Sequence, residues 1–288
     1  MSIYRKGLMK YNLDKQRKRY DALYLSKDTT CLYDEYLDEP FFEIANSKYF
    51  FPKLFKNIND KIVLDIGCGG GNMGSKISHK TKYMVNMDVS FNALLYARKR
   101  IANEKAKYVH GDMLRLPFKE TSFDTVLCYA SLHHIEDVAM VAKEAMRVLK
   151  NKGKFLCFEP TERYPWVYFW LDLFMIPKSL AVFLKNIYVK LQHRFAKQRK
   201  FYNVLKKIPH NSGVHFFKLP SQYKEILVKN GVKDVKVETV FLEFLPPRYF
   251  MSKNKIIVEW IIKLSHLFHK LRIAKERGRF IIIEVTKS

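Results

Sequence analysis

The 288-residue chain is poor in the features that mark several protein classes. It holds four cysteines, at Cys31, Cys68, Cys128 and Cys157, far apart and with no C-x-x-C pair. That excludes a disulfide scaffold, a zinc ribbon and a thioredoxin-type motif, and it points to a reducing compartment. No His/Asp/Glu cluster shows ligand spacing, so no metal site is expected. The first twenty residues contain no apolar h-region, which predicts no secretory leader, and no run of about 18 apolar residues offers a simple spanning helix. There is no internal repeat and no low-complexity tract.

Acidic residues are also scarce. Lys and Arg number 52 against 28 Asp and Glu, a formal net charge of +24. The excess is uneven, with 25 basic and nine acidic side chains in residues 161–288. A basic half suits a polyanionic partner, either nucleic acid or an anionic membrane surface, although a Lys-rich proteome would also produce it.

What is present is a strand–helix alternation. KIVLDI (61–66), KYMVNMD (82–88), KYVHGD (107–112), FDTVLCYA (123–130) and KFLCFEP (154–160) read as buried strands. Helices are predicted over 41–55, 72–80, 91–103, 138–150 and 219–231, the last with Ser221 as N-cap and Gly231 at its end. Two more strands are predicted at 235–244 and 279–286, with a helical stretch, 253–277, between them. This order predicts an α/β, Rossmann-like, seven-stranded and mostly parallel sheet with helices on both faces. Residues 1–40 are expected to be an extension or a short helical cap. Residues 41–160 and 219–288 make the core. Residues 161–218, aromatic and basic, are expected to be a helical lid.

The segment VLDIGCGGGNM (63–73) drives a strand into Gly67, Gly69, Gly70 and Gly71. Such a turn lets backbone approach a ligand, and both dinucleotides and S-adenosylmethionine use one. Asp65 stands two residues before the first glycine, where it can organise an ammonium group. A pyrophosphate gives no reason for an acid there, so the frame favours S-adenosylmethionine. Asp88 ends the second strand, where an acid can accept both ribose hydroxyls. Asp112 follows the third and can accept from an adenine amino group, with the Met113 N–H on a ring nitrogen. A lone Asp at a strand end is often only a turn former, but three in register with the glycine turn make a site.

With VLDIGCGGG, the strand ending at Asp88, YVHGDMLRLPF, SFDTV, SLHHIED and EAMRVLKNKGKFLCFEP, residues 58–160 resemble the class I S-adenosylmethionine-dependent methyltransferases. They look most like the branch that includes the ubiquinone/menaquinone-biosynthesis C-methyltransferases. The resemblance implies that Gly67, Gly69 and Gly71 wrap the methionine part, with Asp65 supporting the turn and Gly70 at a variable contact position. It also implies that Asp88 binds ribose, that Asp112 and Met113 bind adenine, that Tyr129 lies near the methyl group, and that the last strand is antiparallel. The quinone branch usually has a small polar residue where Tyr129 stands. Candidates for a general base are His133, His134, Glu159 and Tyr129, at the carboxyl ends of strands, and a methyl transfer can also proceed without one.

Two basic amphipathic stretches, 178–200 and 253–277, are ordinary core-facing helices or docking elements for an anionic bilayer. The expected enzyme methylates a hydrophobic small molecule or lipid, prenyl-quinone-like, in the cytoplasm or peripherally on the inner face of the membrane. An RNA methyltransferase using the basic half, and a non-catalytic cofactor-binding module, are the alternatives. RNA is disfavoured because the aromatics lie in dense apolar runs rather than interleaved with basic groups.

Overall fold

A computed structural model of the chain describes residues 13–25, 43–44, 46–161, 216–240, 254–270, 278 and 280–288. Almost all of the expected 161–218 lid, and the 178–200 stretch within it, lie outside the described residues. So do residues 241–253, 271–277 and 279, which include the end of the strand expected over 235–244, both ends of the helix expected over 253–277 and the first residue of the strand expected over 279–286.

The strands β1 (Ile62–Ile66), β2 (Tyr83–Asp88), β3 (Ala106–His110), β4 (Phe123–Tyr129), β5 (Leu149–Pro160), β6 (Val235–Val240) and β7 (Phe280–Thr286) form one sheet in the order β3-β2-β1-β4-β5-β7-β6. β1 to β5 pair in parallel, and β7 is antiparallel to both β5 and β6. The expected architecture is therefore present. The order reverses direction at β1, so the crevice at the carboxyl ends of β1, β2 and β4 is where a ligand fits such a sheet.

The helices are α1 (Leu13–Leu25), α2 (Phe51–Ile58), α3 (Asn72–Ile77), α4 (Phe91–Ile101), α5 (Val138–Val148), α6 (Pro220–Lys229) and α7 (Lys255–Lys270). Alternation along the strands splits the core into two layers. On one face Leu127, Leu156, Phe158 and Ile282 pack with Leu54 and Ile58 of α2 and with Val258, Ile261 and Ile262 of α7. On the other, Val126, Cys128, Phe155, Cys157 and Ile283 pack with Val141, Ala142 and Ala145 of α5 and with Tyr223 and Leu227 of α6.

Local chemistry sets the ends. Ser90 caps α4 by accepting from the Ala93 N–H, and Asp137 caps α5 by accepting from the Met140 N–H. Ser221 does not cap α6. Pro220 takes the first helical position, where its fixed φ suits the turn and its missing N–H costs nothing, so Leu219 becomes the N-cap. The Gln222 side chain then accepts from the Leu219 N–H. Of the helix expected over 41–55, residues 41, 42 and 45 lie outside the described residues; Glu43 and Ile44 are helical, and a π-helical turn, Asn46–Phe50, leads into α2 with Pro52 in its first turn.

Phe158 sits at the centre of the first layer, stacked on Tyr129 and Phe280 and packed against Phe50. Phe158→Ala is predicted to cost about 3–5 kcal/mol in a urea unfolding experiment; a loss under about 1 kcal/mol would contradict this packing.

Candidate functional site

The pocket lies at the carboxyl ends of β1, β2 and β4. Asp65, Gly67, Gly69, Gly70, Asp88, Asp112, Met113, Tyr129 and His134 all line it. Three acids of this wall, Asp65, Asp88 and Asp112, come from the ends of three different strands.

The glycine turn forms because Gly67, Gly69 and Gly71 occupy the left-handed region of φ. A Cβ on Gly67 would lie 2.6 Å from Ser131 Oγ, so no larger residue fits. At Gly70 the obstacle is different. Its Cβ would lie 2.8 Å from the ring of Tyr24, a residue of α1.

Asp65 is 1% exposed, and neither carboxylate oxygen has a hydrogen-bond partner. A buried, uncompensated carboxylate is costly. Burial, with Asp88 as the second cause, pushes its carboxyl up to about 8. A cationic group placed against it would restore the charged form. Asp88 accepts from Gly69 N–H and from Ser90 N–H, one on each oxygen, both at 2.8 Å. Each oxygen keeps a lone pair for a diol. Burial raises its pKa, opposed by those N–H groups. Asp112 Oδ1 accepts from the Leu114 N–H, which fixes the turn that presents it beside Met113. This set fits S-adenosylmethionine: an acid for an ammonium, an acid for vicinal hydroxyls, and a glycine-rich turn between them.

The expected base candidates separate into two groups. Glu159 is fully buried, and neither it nor His133 lines the pocket. Its Oε1 accepts from the Ser131 and Leu132 N–H groups, and its Oε2 from the His133 N–H while lying 2.8 Å from His133 Nδ1. These two expected base candidates are thus placed behind the pocket wall, with the backbone N–H groups of Ser131, Leu132 and His133 all donating to the one carboxylate. Phe217 stacks on His133 at 5.2 Å, and the Phe216 N–H donates to the His133 carbonyl. His134 instead faces the pocket, its Nε2 2.7 Å from Tyr20 Oη. Tyr129 also lines the pocket, but its hydroxyl is held by the Asn46 amide and its ring by Phe158.

The sequence reading missed the contribution of α1. This helix closes the pocket with Gln16, Tyr20, Leu23 and Tyr24. Tyr24 Oη accepts from the Gly70 N–H at 2.7 Å. Asp21 Oδ1 accepts from Ser90 Oγ and the Asn92 N–H, and its carbonyl accepts from the Asn92 amide. The available signal was the spacing of Gln16, Tyr20, Leu23 and Tyr24 on one helical face.

A methyltransferase domain model matches residues 64–157. The demethylmenaquinone methyltransferase of Staphylococcus aureus is 28% identical over 180 residues, covering 61% of this chain and 69% of the relative. Among solved structures, phosphoethanolamine N-methyltransferase 2 of Haemonchus contortus, in complex with S-adenosyl-L-methionine, superimposes with a TM-score of 0.56 at 18% identity, over 94% of this chain and 59% of that one. A chain of the complex between the Haloferax volcanii Trm112 methyltransferase activator and its methyltransferase gives 0.55 at 13% identity, over 93% and 97%. At these identities the two structures report the fold.

The raised Asp65 pKa has a measurable consequence. Below about pH 8 the carboxyl holds a proton, and an arriving ammonium releases it. Calorimetry with S-adenosylhomocysteine at pH 7, in two buffers of different ionisation enthalpy, should show release of about one proton, absent in Asp65→Asn. No proton release by the unmodified chain would contradict this account of the carboxylate.

Proposed function

We propose that this chain, a class I S-adenosylmethionine-dependent methyltransferase, methylates a hydrophobic, prenyl-quinone-like small molecule at an anionic membrane surface. One observation carries the proposal: a single lidded pocket joins a carboxylate half, Asp65 and Asp88, to an aromatic half around Tyr20 and Tyr129. The likeness to a demethylmenaquinone methyltransferase supports the quinone-like acceptor.

Asp65 holds the ammonium of the cofactor, Asp88 its ribose hydroxyls, and Asp112 with the Met113 N–H its adenine. Held there, S-adenosylmethionine would supply an activated methyl group on its sulfonium sulfur. α1 excludes water from the pocket. Tyr20 Oη, bonded to His134 Nε2, accepts the acceptor's proton as its own passes to the imidazole, should the acceptor need to lose one. Glu159 and His133 act as anchors that hold the 131–134 turn so that His134 meets Tyr20.

The membrane part rests on α7. One face packs in the core through Val258, Ile261 and Ile262. The other presents Ile256 (68% exposed), Trp260 (62%), Leu264 and Leu267 at helical spacing. Lys263 Nζ lies 5.4 Å from the Trp260 ring centre. Exposed apolar residues beside cations are the pattern of a helix lying in a lipid interface. Among the described residues no helix is long and apolar enough to cross a membrane.

Incubation with methyl-labelled S-adenosylmethionine and total cell extract should place label in the organic phase. Label in RNA would overturn the proposal in favour of an RNA acceptor. Tyr20→Phe is predicted to lower kcat about a hundredfold while leaving S-adenosylhomocysteine affinity unchanged. A second test concerns the membrane alone. Cosedimentation with phosphatidylserine vesicles should weaken with salt and fall in Trp260→Glu; equal sedimentation by both proteins would remove α7 from the account.

A further inference from the structure

α1 brings to the pocket wall one hydrogen-bond acceptor that no group of the protein meets. Gln16 is 5% exposed and lines the pocket, with Tyr20 and Leu23 following it on the same face of the helix. Its Nε2 donates to the His134 carbonyl at 3.5 Å. Turning the amide over would set two acceptor oxygens against each other, so this bond fixes which way the amide faces. Its Oε1 is shielded from solvent and accepts from no donor.

A buried carbonyl oxygen without a donor is costly, because it has given up its hydrogen bonds to water and gained none in the protein. In a pocket wall such an oxygen is complementary to an O–H or N–H carried by a ligand. The cofactor does not bring that donor. S-Adenosylmethionine offers its ammonium, its ribose diol and its adenine amino group, and Asp65, Asp88 and Asp112 stand ready for these at the strand ends. Gln16 is a further acceptor, on α1 and against the turn that carries His134. The ligand left to meet it is the second one in the pocket, the molecule that takes the methyl group.

We propose that Gln16 is a specificity-determining residue for the methyl acceptor, its Oε1 receiving a hydrogen bond from a hydroxyl or N–H on that molecule. A site built to bond such a donor rejects an analogue that lacks it, because the protein's own polar group is then left unmet. The selection is made without charge, by one neutral acceptor. This inference rests on the methyltransferase reading and deepens it.

The test uses the full chain saturated with S-adenosylhomocysteine and titrated with 1-naphthol and with 1-fluoronaphthalene, which has nearly the same shape and no donor. The ratio of the two affinities should fall about tenfold in Gln16→Met and in Gln16→Leu, which lack the acceptor oxygen, and should hold in Tyr20→Phe. A Gln16 that only ties α1 down would weaken both probes alike and leave the ratio where it was. The S-adenosylhomocysteine-induced rise in Tm is the folding control for each variant. A ratio unchanged in both Gln16 variants, a ratio that moves in Tyr20→Phe instead, or binding of neither probe by the unmodified chain would overturn the proposal while leaving the methyltransferase reading intact. Failure of the unmodified chain to bind S-adenosylhomocysteine would overturn both.

Discussion

A carboxylate with nothing to pair with, Asp65, organises this molecule. It ends in the core of a parallel sheet, and both its oxygens lack donors. In the folded chain it titrates near 8 rather than near 3.8, so folding without a ligand favours the protonated acid. The sign follows directly. Stability is fully present below about pH 4 as far as this group is concerned, and is lost progressively as pH rises towards 8, where the unfolded chain has already released the proton. A bound cation reverses that loss. The sheet, the glycine turn and the neighbouring Asp88 thus make the charged form of Asp65 costly, and either a proton or a positively charged ligand relieves that cost.

The rest of the site is built to hold that ligand in place. Gly69 and Gly70 turn their N–H groups outward, one to Asp88 and one to Tyr24. The same short turn therefore fixes Asp88 and ties down α1. At the other end of the pocket a single buried carboxylate, Glu159, gathers the N–H groups of Ser131, Leu132 and His133. That is a strong arrangement, since a charged acceptor in a dry interior binds N–H donors more tightly than a neutral one does. Its result is the position of His134, which meets Tyr20 from the lid. The phenol of α1 therefore lies against the imidazole of that turn.

Much of this was legible in the sequence, for definite reasons. The strands of the sheet are short apolar runs stopped by Gly, Asp or Pro, and the acids at 65, 88 and 112 fall at their ends, so the sheet and the gathering of these acids in one pocket follow from spacing. Other features were not legible. Glu159 reads as a base candidate because an acid at a strand end does so by position; its four-way anchoring depends on the conformation of a turn 26–28 residues away. The lid helix is polar along most of its length, and its four pocket residues are told from a solvated face only when Gly70 and His134 are seen opposite them. At α6 a Pro outcompeted the Ser chosen as cap, a case of fixed φ deciding over side-chain capping.

The central claim is that the acids at the ends of β1 and β2 seat S-adenosylmethionine under α1. The most direct measurement is the calorimetric affinity of Asp88→Ala for S-adenosylhomocysteine against that of the unmodified chain. The account predicts a loss of about a hundredfold or more, because both ribose hydroxyls lose a charged acceptor and the Gly69 N–H loses its partner. Equal affinity in the two proteins would contradict it.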